Sequence, residues 1–508
     1  MNSIAPEPLT SASRTAETRL AELRPHLTPI SQRLSEIARL IHGRPEVGFT
    51  ETFASGLLAE ELEHHGFTVE RAAAGLDTAF VAYAGSDIPN SPTIGIFCEF
   101  DALKGLGHAC GHNLIAAAGL GAAIITKKWL EEHPDTPARI RVLGSPAEEE
   151  GGGKVYLERA GHLAGLDAAM MIHPGGMNQA WFNSLSHAVL SVSFRGKAAH
   201  AAAFPFDGVN ALDAATLTLT AIGLLRQQLL PDSRVHGIVT DGGTAPNIIP
   251  DRTSMLFQVR SPSTKYLNER LLPAVRACIN GAALATGAVA EITEPVPVYE
   301  GMTNNPVLAR LCETTMTALG LDMEPGPPDY FLGSTDMGNV SQRVPSVHPH
   351  LMLRPGLTMH TAEAALAAGS ADADALIAHG TLLLAATAVE LVDNPELLTA
   401  VQQSFTGQQT NHKPRAIILS PSTDNVAVAL TDLAAGEIIE LDSTTAHITE
   451  PIPAGHKFTT CALNGQAAVV KRGETIGHAT QAIPAGAHVH VHNVTTARLA
   501  EPCSYSCR

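Results

Sequence analysis

Three apolar runs, each ending in a cluster of polar residues, constrain this chain more than any other feature. They are PTIGIFCEFDALKGLGHACGHN, IRVLGSPAEEEGGG and DAAMMIHPGG, and each reads as a buried strand followed by a Gly- and Pro-punctuated loop. In open α/β sheets ligands bind beyond the carboxyl ends of the strands, so the three clusters are expected to converge. Convergence brings together Cys110, His112, the run Glu148-Glu149-Glu150 and His173, a mixture of thiolate, imidazole and carboxylate that suits Zn²⁺ or a similar divalent ion. Successive side chains along a strand alternate in direction, so one of two adjacent glutamates can bind metal while the other faces the substrate. A polarised water and a free carboxylate that moves its proton suffice for amide hydrolysis. Taken singly, each piece has an ordinary reading: a chance Cys-x-His pair, a solvated Glu run, a histidine that closes a strand through a hydrogen bond. Their joint placement at three strand ends favours the metal centre.

The rest of the chain alternates in the same way. Helices are expected near Phe53 to His65 and from Asn113 to Glu132, and strands near Ala79 to Ala84, Thr93 to Phe100 and Arg139 to Leu143, the pattern of an α/β sheet with helical crossovers. Ahead of them, Leu20, Leu23, Leu27, Ile30, Leu34, Ile37 and Ile41 recur at helical spacing, and Pro25 and Pro29 are expected to divide that stretch into two helices. Residues 186–295 differ in texture, with strands SVSFRG, VHGIVT and TSMLFQVR separated by helices at Gly208 to Gln228 and Thr264 to Thr286, as in a compact α+β insertion. The first domain is therefore discontinuous, covering residues 16–185 and 296–405 and closing with a long helix from Ala371 to Leu391 and a shorter one to Phe405. The polar stretch TGQQTNHKPR, residues 406–415, is expected to be a linker, and residues 416–500 a small barrel-like β domain with Gly-containing turns.

At 508 residues two or three domains are expected. A net charge of −17 disfavours nucleic acid and anionic membranes as partners. The apolar runs are too interrupted for a membrane span, the first residues lack the pattern of a secretory signal, and seven cysteines, scattered singly apart from Cys503 and Cys507, suit a reducing compartment. A cytoplasmic location is expected.

Several long motifs resemble the zinc-dependent aminoacylase and carboxypeptidase family, in its branch of β-alanyl-lysine dipeptidases and p-aminobenzoyl-glutamate hydrolases. They are IHGRPEVGF at Ile41, EFDALKGLGHACGHN at Glu99, GSPAEEEGGGK at Gly144, IHPGG at Ile172, GKAAHAAAFPFDGVNALDA at Gly196, GGTAPNIIPD at Gly242, STDMGNVS at Ser334, PSVHPHL at Pro345 and MHTAEAA at Met359. The resemblance implies a three-layer α/β metallopeptidase-type catalytic domain with an inserted dimerisation (lid) domain. It implies two divalent ions per subunit, Zn²⁺ or Mn²⁺, held by Cys110, His112, Glu149, His173 and His360, with Glu148 as general base and Asp101 as an acidic support. Glu99 stands where many relatives carry a metal-binding His, and Glu150 is expected just behind the ligands. His200 matches a histidine that enters the neighbouring subunit's site in a homodimer to stabilise the oxyanion. Asn247 and Arg260 match residues that hold the substrate's backbone or carboxylate, although Arg260 also suits a surface ion pair. His348 and His350 are expected to be structural.

The last domain is similar to the SAF domain of altronate and galactarate dehydratases, on DNVAVALTDLAAGE at Asp424, IPAGHKF at Ile452, VKRGETIGHAT at Val470 and GAHVHVHN at Gly486. Period two puts His488, His490 and His492 on one strand face, able to hold a metal or hydroxy-acid oxygens, or else simply solvated at an edge. Three functions are thus in view. The first is hydrolysis of the amide of a small N-acyl amino acid or dipeptide. The second adds a hydroxy-acid dehydratase role in which a separate large subunit joins the SAF domain. The third is a catalytically idle scaffold.

Overall fold

The run Thr93–Glu99 is buried at every position and lies inside a six-stranded sheet, as an apolar run without alternation should. In this computed structural model residues 16–323, 325–328, 330–411, 416–420, 423–441 and 444–495 are described; Cys503 and Cys507 lie outside them. The sheet order is Thr68–Arg71, Phe80–Gly85, Arg139–Ser145, Thr93–Glu99, Ala168–Met170, Ser346–Val347. The last four strands run parallel, and the first two add on antiparallel. The strands leading into the three polar clusters are therefore hydrogen-bonded neighbours pointing the same way.

The helix His112–Glu132 packs across this sheet, with Ser31–Gly43 and Asp372–Asp393 packed against it. Close approach depends on Gly121: a Cβ there would lie 2.5 Å from Leu34 Cδ1 and 2.6 Å from Thr381 Oγ1. Asp372–Asp393 is long and apolar enough to cross a membrane, but 83% of its apolar window is buried inside the protein, as in the core helix of a globular domain. Pro25 does not end the first helix, which runs Ala16–Leu27; the break falls at residues 28–30, around Pro29. Pro25 and Ala21 are both exposed, so the carbonyl that proline leaves without a partner can face water.

The insertion has a core of its own. Its antiparallel sheet has the order Val289–Thr293, Ser186–Arg195, Arg252–Ser261, Arg234–Asp241. The alternating burial of Ser186–Arg195 and Arg252–Ser261 faces Leu190, Val192, Phe194, Met255, Phe257 and Val259 inward. The helices Ala211–Leu225 and Leu272–Thr286 supply the rest of that core.

The chain divides into two units, 1–405 and 406–508. The expected linker is corrected in its first part: residues 406–411 continue the helix Pro395–Asn411, because nothing before Pro414 breaks it. Residues 412–415 lie outside the described set. Beyond that helix, the described residues of the second unit form a four-stranded, a three-stranded and a two-stranded sheet around two small cores.

Gly121→Val is expected to lower stability by about 1–3 kcal/mol through overpacking between the three helices, measurable as a lower urea midpoint with an unchanged slope.

Candidate metal centre

Cys110, His112 and His173 present ligand atoms that all lie within 4.8 Å of one another, and so do Cys110, Glu149 and His360. Cys110 is common to both sets, its Sγ 3.4 Å from His173 Nε2 and 3.3 Å from His360 Nε2. Glu149 Oε1 lies 3.3 Å from His360 Nε2 and 3.8 Å from His112 Nε2. Glu148 joins His112 and Glu149 in a third such group. The donors come from three adjacent strand ends and one distant loop.

Local backbone makes this convergence possible. Gly111, between the two ligands of the Cys-Gly-His run, has φ 73°, and a Cβ on it would lie 2.5 Å from Pro174 Cγ; only glycine fits where the two ligand loops meet. His360 itself has φ 64°, a strained conformation of the kind that concentrates at functional sites, and its N–H donates to Ala109 O at 3.0 Å. Thr361 then caps the helix Ala362–Ala368.

The loop carrying the glutamates is tied at three successive residues. Glu51 Oε1 accepts from the Ala147 N–H at 2.8 Å, where Ala147 has φ 57°. Tyr299 Oη donates to Glu148 O at 2.6 Å, and Asp101 Oδ2 accepts from the Glu149 N–H at 3.0 Å. Through its other oxygen Asp101 bonds His112 Nδ1 at 2.9 Å, which turns Nε2 toward Glu149 and Glu99. Asp101 thus orients a ligand and a loop together.

The donor set fits divalent ions. His112 Nε2, Glu149 Oε1 and Glu99 Oε2 are buried and have no hydrogen-bond partner among the described residues, the arrangement that a coordinated cation satisfies. Burial and then the Glu149 carboxylate push the Cys110 thiol well above its ordinary range, so a thiolate here needs positive charge beside it. Burial pulls His173 down to about 4, with His112 adding to the effect, which leaves a neutral imidazole free to ligate. Burial, then Glu99, Glu149 and Asp336, raise Glu148 well above the usual carboxylate range, so this carboxyl holds a proton readily.

Sequence reasoning missed the groups behind the centre. Lys154, fully buried, contacts Glu99 Oε1 and donates to Asp336 Oδ1 at 2.7 Å, and its backbone N–H donates to Asp336 Oδ2 at 3.0 Å. Both lie in motifs already quoted, GSPAEEEGGGK and STDMGNVS; a lysine directly after three glycines at a buried strand end was the available signal. Glu150 does not stand behind the ligands: it is exposed, since the turn that buries Glu148 points the residue two positions later outward. His350 stacks on His173 with centroids 4.9 Å apart and on Phe182 at 4.5 Å, bracing the ligand ring.

The residues expected from the insertion lie differently. His200 is exposed and its Nδ1 accepts from the backbone of Ala202 and Ala203. Asn247 is exposed too, with its carbonyl accepting from the Ala201 N–H. Arg260 makes no surface ion pair among the described residues; it donates to Ser334 Oγ at 3.3 Å and to Gln258 Oε1 at 2.8 Å, leaving a buried Nε unpaired.

Residues 89–390, more than half of the chain, match the model of peptidase family M20/M25/M40. The chain belongs to the M20/M25/M40 peptidase family. Within this family it is 37% identical to the Xaa-Arg dipeptidase of Mus musculus, over 78% of this chain and 95% of that protein. It is 36% identical to one subunit of the p-aminobenzoyl-glutamate hydrolase of Escherichia coli, over 51% of this chain and 57% of that protein. The M20 fold is shared with a dinuclear metal-binding peptidase from Bacillus subtilis, at TM-score 0.54 and 20% identity over 72% of this chain and 99% of that one. An aminobenzoyl-glutamate utilization protein from Klebsiella pneumoniae aligns at TM-score 0.57 and 20% identity, over 71% and 98% of the two chains. Residues 414–497 match the altronate/galactarate dehydratase SAF domain. The protein is a metal-dependent hydrolase of small amides with an appended SAF domain.

Burial, with Asp101 nearby, raises the Glu51 carboxyl from its ordinary 4.5 to about 7. A carboxyl whose folded pKa lies above its unfolded one binds more protons in the folded state between those values, so stability falls as pH rises from 4.5 to about 7. Glu51→Gln, which keeps an acceptor for Ala147, should therefore gain on the wild type with rising pH. The gain reaches up to about 3 kcal/mol at pH 8 and vanishes near pH 4, read from melting temperatures across that range.

Proposed function

We propose that this chain hydrolyses the amide bond of a dipeptide or N-acyl amino acid bearing a free carboxylate, using two divalent ions, Zn²⁺ or Mn²⁺. The reading rests on Glu148, a buried carboxyl within 4.8 Å of the ligand atoms of His112 and Glu149 and without a ligating role of its own in the Cys110 sets. Cys110, His112, Glu149, His173 and His360 hold the ions, which when bound polarise the scissile carbonyl and an attacking water. Glu148 takes the proton from that water as the C–O bond forms and the carbonyl π pair moves onto oxygen, then delivers it to the leaving nitrogen as the carbonyl re-forms and the C–N bond breaks. Asp101 keeps His112 in the tautomer that leaves Nε2 free to ligate. Arg260 and Asn247 receive the substrate's carboxylate and backbone; the planar guanidinium, already desolvated at Nε, suits a bidentate carboxylate. The dipeptidase and p-aminobenzoyl-glutamate hydrolase relatives carry names that give substrates of this class. A thiolate ligand also suits the reducing cytoplasm.

Glu148→Gln should lower kcat by about 10²–10⁴-fold while the bound metal measured by plasma mass spectrometry stays unchanged. Full activity in that variant on a panel of dipeptides and N-acyl amino acids excludes the assignment.

We further propose a homodimer in which the partner subunit's His200 donates to the developing oxyanion. His200 is exposed on the insertion and its ring Nδ1 accepts from its own loop, which leaves Nε2 to serve a neighbour. Mixing His200→Ala with Glu148→Gln and allowing subunits to exchange should restore about one quarter of wild-type activity, since half the dimers then carry one intact site. No recovery means that each chain works alone.

The SAF match supports the second reading, in which the C-terminal unit also serves a separate large dehydratase subunit. The family match and the hydrolase relatives count against the idle scaffold.

A further inference from the structure

The C-terminal unit gathers four histidines, not three. His456 precedes the strand Lys457–Thr459, which pairs with His488–Val489 so that Phe458 stands opposite His488. This pairing sets His456 Nδ1 2.8 Å from His488 Nε2. The His490 ring stacks on His456 at 5.1 Å and on His488 at 5.4 Å, and His492 lies 5.5 Å from His488. The expected continuous strand does not form: after Val489 the chain turns at residues 490–493 before Val494–Thr495. Asn493 imposes that turn, accepting from the His490 N–H at 3.0 Å and donating to His488 O at 2.8 Å while itself buried. The Glu450 carboxylate accepts the His488 N–H at 3.0 Å and braces the other side. The histidines meet through a turn and a neighbouring strand, not through period two.

We propose that His456, His488 and His490, with His492 at the rim, bind one late first-row divalent cation such as Zn²⁺ within the C-terminal unit. Imidazole nitrogen suits such ions, and the backbone that carries His488 and His490 is held by the Asn493 and Glu450 hydrogen bonds. Tetrahedral Zn–N bonds of about 2.0–2.1 Å place ligand nitrogens about 3.3 Å apart, so the His456–His488 pair needs to open by only about half an ångström. Each ring then carries its proton on the far nitrogen. His490 is exposed and free to rotate a nitrogen inward. Burial and its three histidine neighbours hold the His488 pKa below the ordinary value, which keeps its lone pair available at neutral pH.

The test uses the full-length protein, stripped with chelator, reloaded with Zn²⁺ alone and desalted, with zinc per chain counted by plasma mass spectrometry. The wild type is expected to retain one ion more per chain than His456→Ala or His490→Ala, with kcat/KM for amide hydrolysis equal in all three. His490→Ala alters an exposed side chain, so its count stands even if His456→Ala fails to fold. Equal zinc in the wild type and His490→Ala overturns the proposal.

Discussion

Glu99, Asp101, Glu148, Glu149 and Asp336 crowd their carboxyl groups into one poorly hydrated space together with the Cys110 thiol, and everything about the centre follows from neutralising them. Lys154 supplies one fixed positive charge, buried completely and shared by Glu99 and Asp336. Unpaired buried carboxylates cost several kcal/mol each, so a site of this composition is stable only when protons or cations occupy it. The same imbalance suits the site to divalent ions and raises the proton affinity of Glu148. The proposed ion binding and the proposed proton transfer thus share one electrostatic origin.

Crowding of this kind needs backbone that departs from the ordinary. Gly111, Ala147 and His360 all lie in the left-handed region, and each sits where a ligand or the proposed base is delivered. Gly111 takes this conformation without strain, and the strain at Ala147 and His360 is countered by specific bonds, from Glu51 to Ala147 and from His360 to Ala109. Asp101, Tyr299 and Glu51 belong to distant segments yet tie three successive residues of one loop. The arrangement places the rigidity of the sheet directly behind the reacting groups.

The C-terminal unit repeats the theme at smaller scale. Its two cores are small, and the residues that shape its histidine cluster are a buried asparagine and a glutamate that bond to backbone. An expectation built on strand periodicity put three histidines together for the wrong reason. Asn493 competes with the sheet for backbone bonds and turns the chain, while His456 arrives from a strand that no local pattern connects to it.

The sequence by itself determined the alternating α/β order, the insertion with its own core and the candidate donors Cys110, His112, the run Glu148-Glu149-Glu150 and His173, because apolar periodicity and strand-end clusters are local properties. Motif resemblance then separated Glu148 from Glu149 and added His360 from far along the chain. Only the tertiary structure decided that Cys110 stands between both ligand sets, that Lys154 and Asp336 close the charge balance, that Glu150 points to solvent and that the helix runs on through residues 406–411. These depend on which buried groups meet across long sequence separations, and burial sets the energy of a charge through its neighbours in space, which no local pattern encodes.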